Sequence, residues 1–82
     1  MDIERVDIAA LLRFLATTFR DAPPQGEVVG RSQLRDAVTA ELGCSQLQAE
    51  QLVDTLVMRG CLRLSRAPGE LPFWRIVPGG PE

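Results

Sequence analysis

Three segments of the chain place apolar residues at the spacing of an amphipathic helix. In the first, apolar side chains return every three or four residues and share one face of a helix. They are Ile8, Leu11, Leu12, Leu15 and Phe19. Asp2 and Asp7 are both suitable N-cap residues for this helix. Pro23 and Pro24 cannot continue a helix, so the pattern predicts that it ends before them.

The second and third helical segments are separated by a short turn. The second helix is predicted with Gly30 as its N-cap and Gly43 as its end. The stretch "EVV" before it is expected to pair as a minimal strand. The third helix begins with a capping box, Ser45 followed by Gln48. The core-facing positions of the two helices are predicted to be Leu34, Ala37, Val38, Leu42, Ala49, Leu52, Val53, Leu56 and Val57.

After the third helix the period changes from helical to alternating. The stretches "CLRLSR" and "PFWRIV" alternate side chains between two faces, which predicts two antiparallel strands. Between them, Pro68 and Gly69 occupy the favoured positions of a type II turn. Trp74 and Ile76 are the expected core pair of the second strand.

The order of these elements is helix, short strand, helix, turn, helix, strand, loop, strand. In "VGRSQLRDAV", "GCSQLQAEQLVDTL", "RGCLRL" and "FWRIV" the chain resembles the winged helix-turn-helix superfamily. The resemblance implies an α+β fold, a three-helix bundle with a C-terminal antiparallel hairpin called the wing. It also implies a DNA-binding ancestry, with the third helix in the major groove and the wing on the DNA backbone or minor groove.

Length and composition are those of one small globular domain, which we assign to residues 1–78, with 79–82 as a frayed tail. The chain has 82 residues, of which 45% are hydrophobic and 24% charged, and a net charge of −2. That sum does not point to nucleic acid, so the distribution of charge matters more. No apolar run reaches the roughly 20 residues that span a bilayer, and "MDIERVD" lacks the features of a secretory signal. We therefore expect a soluble intracellular protein, cytoplasmic or, in a eukaryote, nuclear, with no membrane contact.

Catalytic and metal chemistry have little support in the sequence. There is no histidine and no glycine-rich phosphate loop, and the only thiols are Cys44 and Cys61. With the third helix between them, these thiols are predicted to lie about 22 Å apart, too far for a disulfide. We expect neither a metal nor a cofactor, and no enzymatic activity.

The outward face of the third helix is open to three interpretations. At 100° per residue it carries Leu47, Glu50, Gln51, Asp54, Thr55 and Met58. The face is a solvated surface, a protein contact through Leu47, Asp54 and Met58, or a DNA-reading surface. For DNA reading, the groove contacts are expected from Gln46, Gln48, Gln51 and Thr55.

Two carboxylates on that face argue against DNA reading. No arginine lies beside Glu50 and Asp54 on the third helix, and both carboxylates would oppose phosphate charge. If the helix does enter a groove, replacing both with glutamine is expected to tighten binding. The free domain is expected to be no less stable, because the change removes like-charge repulsion at i, i+4.

The basic residues, all nine of them arginine, have a different distribution. Arg59, Arg63, Arg66 and Arg75 lie in or just before the hairpin, against one acidic residue, Glu70. Arg63 and Arg75 are predicted to stand side by side on its outer face, where two guanidinium groups suit a phosphate. The alternative is that these charges only protect exposed strands from aggregation.

The leading hypothesis is a non-enzymatic module that binds double-stranded DNA. Arg31 and Arg35, near the start of the second helix, are expected to contact phosphates together with Arg63, Arg66 and Arg75. The alternative, from a different class, is a small subunit or adaptor that binds a protein through the third helix.

Two aromatic residues also have two interpretations each. Phe73, outward on its strand, either stacks on a base or partner surface or covers the open side of the sheet. Phe14 either supports a homodimer or belongs to the core.

Overall fold

The computed structural model describes residues 5–77, so Asp2 and the predicted tail at 79–82 lie outside the described residues. Its elements, in chain order, are helices α1 (Ile8–Thr18), α2 (Glu27–Leu42) and α3 (Gln46–Met58) and strands β1 (Leu62–Ser65) and β2 (Phe73–Ile76). The predicted α+β composition is confirmed. Three helices and one antiparallel hairpin within residues 5–77 are compatible with a winged-helix layout.

Of the two candidate N-caps of helix α1, Asp7 is the residue at which the helix begins. Asp7 has extended backbone angles, and its carboxylate accepts a hydrogen bond from the amide of Ala10 at 3.1 Å. The predicted stripe packs inward, with Leu11, Leu12 and Leu15 buried. The cap thus fixes where α1 begins, and the burial of the three leucines shows which face of the helix packs on the core.

Helix α2 begins earlier than predicted. Gly26, at φ 88°, is its N-cap, and the amide of Gly30 donates to the Gly26 carbonyl at 3.0 Å. Gly30 therefore lies in the second turn rather than at the cap, and the strand predicted for "EVV" is wrong because those residues are helical. An isolated bridge pairs Gln25 with Phe73 just before the helix. Gly43, at φ 64°, ends α2 as predicted.

The capping box predicted for α3 is confirmed. The Ser45 hydroxyl accepts from the amide of Gln48 at 3.1 Å, and the Ser45 amide donates to the side chain of Gln48 at 3.2 Å. Most of the predicted inner stripe is fully buried: Ala49, Leu52, Val53 and Leu56. Three residues, 43–45, thus suffice to reverse the chain between α2 and α3.

The hairpin has the predicted alternation. Its register pairs Leu62 with Ile76, Arg63 with Arg75, Leu64 with Trp74 and Ser65 with Phe73. Across the turn, the amide of Glu70 donates to the carbonyl of Ala67 at 3.1 Å, and Gly69 has φ 77°. These features are those of a type II turn with Pro68 and Gly69 at its centre.

Trp74 joins the hairpin to the helices. Its ring lies against Gly30, and its indole N–H donates to the Gly26 carbonyl at 3.1 Å. Its amide donates to the Pro24 carbonyl at 2.8 Å, while the amide of Gly26 donates to the Pro72 carbonyl at 2.7 Å. The hairpin is consequently held to the start of α2 by both backbone and side chain.

Gly30→Ala is expected to destabilise the domain. A Cβ at this position would lie 2.6 Å from Cδ1 and 2.9 Å from Nε1 of Trp74, and 3.1 Å from the Gln25 carbonyl oxygen. Such overpacking lowers the free energy of unfolding by about 1–3 kcal/mol. The higher helix propensity of alanine relative to glycine, roughly 1 kcal/mol, offsets part of this loss. A net loss of about 1 kcal/mol lowers the melting temperature by about 4–8 °C.

Thermal melts followed by circular dichroism measure this effect. In a Trp74→Leu background the same Gly30→Ala change should cost less, because the indole that it meets is absent. An equal cost in both backgrounds would show that the contact with Trp74 is not the cause.

Candidate nucleic-acid interface

Arg63 and Arg75 stand directly opposite each other on the outer face of the hairpin. They are register partners in β1 and β2, and both are exposed. Side chains in such positions start about 4.5–5.5 Å apart. Nε of Arg63 donates to the Gly60 carbonyl at 3.2 Å, which leaves its terminal nitrogens for a ligand. Among residues 5–77, neither arginine has a carboxylate within ion-pair distance.

The other three arginines predicted to bind phosphate have carboxylate partners. Arg31 pairs with Asp54, Arg35 pairs with Asp36 and with Glu50, and Arg66 pairs with Glu27. The distances are 3.2 Å from Arg35 to Asp36, 3.1 Å from Arg35 to Glu50 and 2.9 Å from Arg66 to Glu27. The five predicted phosphate-binding arginines thus divide into a pair without carboxylates, on the hairpin, and three that are already neutralised.

Two of these ion pairs form a ladder between α2 and α3. Arg31 precedes Arg35 by one turn of α2, and Asp54 follows Glu50 by one turn of α3, so the two pairs bridge the same two helix faces. The hydrogen bonds that Arg35 donates to Asp36 and Glu50 raise the pKa of its guanidinium. The expectation that Glu50 and Asp54 lack a basic neighbour is therefore wrong. Helical periodicity relates these two carboxylates only to other residues of α3, whereas the arginines that pair with them lie on α2.

The outward face of α3 is electrically balanced and partly apolar. Leu47 is 69% exposed and Met58 is 87% exposed, near the two ends of the helix. Of the predicted groove-contacting residues, Gln46 and Gln51 are exposed. Gln48 belongs to the capping box, and the half-buried Thr55 donates its hydroxyl to the Gln51 carbonyl at 2.9 Å.

A cleft beside Arg75 was not predicted from the sequence. It has a volume of about 240 Å³ and lies between the end of α1 and β2. Its walls include Phe19, Arg20, Pro23, Phe73 and Arg75. Phe19 and Phe73 are separated by more than fifty positions in the chain, so no local pattern relates them.

A second cleft, of about 550 Å³, lies between the start of α1 and the end of α2. Phe14 and Leu42 contribute to its apolar lining. Phe14 is half-buried and packs against the core, which favours its structural interpretation. The homodimer hypothesis for Phe14 stays a prediction.

Three further features concern residues 5–77 as a whole. No helix in this part of the chain has the length and apolarity needed to cross a membrane. Nor do the cysteine, aspartate and glutamate side chains of this part gather in groups of three or more that suit a metal ion. Cys44 and Cys61 do not form a disulfide; Cys61 is buried and Cys44 half-buried.

Comparison of the chain with protein-family models, with curated proteins and with solved structures finds no match. The functions of the hairpin arginine pair and of the outward face of α3 are therefore inferred from geometry and charge.

Replacing both Glu50 and Asp54 with glutamine is expected to lower the melting temperature by a few degrees. The reason is that the change removes the partners of Arg31 and Arg35, which outweighs the relief of repulsion between the carboxylates. Because the ion pairs are partly exposed, the difference from the unaltered protein should shrink in high salt. Melts at low and high salt measure it, with Asp21→Asn, at an exposed aspartate, as the control. An unchanged or raised melting temperature at low salt would contradict the ladder.

Proposed function

We propose that this protein is a non-enzymatic winged-helix module that binds duplex DNA through Arg63 and Arg75. The order of its elements supports the finer fold assignment, with residues 66–72 as the loop of the wing and β1 and β2 as its strands. The bridge between Gln25 and Phe73 takes the place of the short strand that precedes the second helix. An intracellular location, cytoplasmic or nuclear, follows from this proposal and agrees with two thiols that form no disulfide.

The observation that carries the proposal is the pairing of two arginines without a nearby carboxylate. Like charges directly opposite each other on a sheet are destabilising, so the register places a repulsive pair on an exposed surface. An anion between the two guanidinium groups relieves that repulsion. A phosphate suits the position because guanidinium groups bind it with two parallel hydrogen bonds.

The ion pairs narrow the predicted set of phosphate contacts. For Arg31, Arg35 or Arg66 to bind a phosphate, each must first release a carboxylate, which offsets the attraction. We therefore place the primary contacts on Arg63 and Arg75. Helix α3 contributes at most the exposed amides of Gln46 and Gln51. Affinity is expected to depend little on base sequence, because phosphate contacts carry no sequence information.

Replacing Arg63 and Arg75 with glutamine is expected to weaken duplex binding and its salt dependence. Each lost phosphate contact lowers the slope of log K against log salt by about 0.9, so the double variant should lose about 1.8. The melting temperature should not fall, because the change relieves a like-charge pair. Fluorescence anisotropy with a labelled duplex at several salt concentrations measures the slope.

Arg13→Gln is the matched control. Arg13 is exposed on α1 and has no carboxylate partner among the described residues, but it lies outside the hairpin. Its replacement should leave the slope almost unchanged. If the double variant and the control behave alike, the hairpin pair is not the binding site.

A second candidate function is protein binding through α3. The observation that favours it is the exposure of Leu47 and Met58 on one stripe, with the charge of Asp54 between them balanced by Arg31. Apolar residues around a neutral centre are typical of protein interfaces, where charged residues are depleted from the core.

Leu47→Arg and Met58→Arg are expected to prevent such binding without unfolding the domain. Both side chains are exposed, so the free energy of unfolding should change by no more than about 0.5 kcal/mol in either direction, as for ordinary surface substitutions, and the melting temperature should change little. A photo-crosslinking amino acid at position 47, with one at exposed position 40 as the control, would identify a partner. A large fall in melting temperature would show that this face is structural, and equal crosslinking from both positions would exclude a specific interface.

A further inference from the structure

The cleft beside Arg75 combines aromatic walls with cations. Phe73 reaches it from β2, and Phe19 reaches it from the end of α1. Arg20 and Arg75 line the same cleft, and within residues 5–77 neither forms an ion pair with a carboxylate. Arg75 also neighbours Arg63, so the cleft is continuous with the arginine pair on the hairpin.

This combination suits one nucleotide of a single strand. Bases stack on aromatic side chains, and arginines hold the phosphates, in proteins that bind single-stranded nucleic acid. At about 240 Å³ the cleft is smaller than the pockets that hold drug-sized ligands, roughly 300–1,000 Å³. A cleft of this size suits a single ring system.

The end of α1 sets the orientation of the nucleotide. A helix C-terminus carries partial negative charge, which disfavours a phosphate and favours N–H donors. The amides of Phe19 and Arg20 donate to the carbonyls of Leu15 and Thr17. Ala16, whose carbonyl accepts from neither of these amides, also lines the cleft. On this ground we expect the phosphates toward Arg75 and Arg63 and the base toward the end of α1.

We propose that this cleft binds one unstacked base of a single-stranded segment whose backbone lies on Arg63 and Arg75. The inference rests on the proposed phosphate contacts of these two arginines and extends them to a substrate class. A single strand binds more tightly than a duplex of the same length, because a paired base cannot enter the cleft. The occupied cleft also places a base beside Trp74, the one tryptophan of the chain, which lines it as well.

The test uses three labelled probes of equal length: an oligothymidylate, a strand of abasic sites, and a duplex. The oligothymidylate should bind on the order of tenfold more tightly than the abasic strand, as expected for one stacked base. It should also change the emission of Trp74, whereas the abasic strand should not. Equal affinity for the oligothymidylate and the abasic strand would overturn the inference.

Two variants place the effect in the cleft. Phe73→Leu keeps an apolar side chain but removes the ring, and should reduce oligothymidylate binding on the order of tenfold while duplex binding stays unchanged. Unchanged duplex binding also shows that the variant is folded. Arg20→Gln, at an exposed residue, should weaken binding of the oligothymidylate more than Arg13→Gln does. If Phe73→Leu and Arg20→Gln both bind the oligothymidylate as the unaltered protein does, the cleft is not the site.

The outcomes separate this inference from the function on which it rests. If all three probes bind alike and the arginine pair is required, phosphate binding stands and the base site is wrong. If no probe binds, both are wrong. Binding of an acidic, aromatic peptide in the cleft, with no nucleic acid bound, would reassign the same residues to a protein ligand and overturn the proposal.

Discussion

The contact between Trp74 and Gly30 is the constraint on which the positions of the other surfaces depend. It lets the hairpin approach the second turn of α2 closely, and the Gln25–Phe73 bridge holds the same region through the backbone. Because side chains alternate across a strand, burying Trp74 necessarily turns Arg75 outward. On the other side of the same strand, β2 lies beside the end of α1, and the cleft between Phe19 and Phe73 lies there.

Tertiary structure decides which arginines of this protein are paired with carboxylates. A net charge of −2 conceals two different arrangements of arginine. Arginines on α2 and in the hairpin loop are paired with carboxylates from other elements or from a neighbouring residue; they are Arg31, Arg35 and Arg66. On the hairpin, Arg63 and Arg75 face each other. Repulsion within this last pair is a cost that a bound anion would offset, and this is the basis of our proposal that the pair binds phosphate.

Such an arrangement changes the role expected of α3. A winged-helix protein that reads a major groove needs donors and cations on this helix, whereas here the carboxylates of Glu50 and Asp54 are neutralised from α2. The helix is thus suited to a neutral contact, and the hairpin to an anionic one. The two candidate contacts thus belong to surfaces of different chemistry on one small domain.

Local signals along the chain determined the element types, the capping box at Ser45 and the turn at Gly69, because these depend on residues close in sequence. The outward positions of Arg63 and Arg75 follow from the alternation of side chains along a strand. Tertiary contacts also bear on where α2 starts, since its N-cap, Gly26, is hydrogen-bonded to Pro72 and Trp74 of the hairpin. They decided the partners of Glu50 and Asp54 and the cleft at Phe73. Each of these joins residues from separate elements, and their distances depend on how the helices and hairpin pack, which periodicity within one segment does not specify.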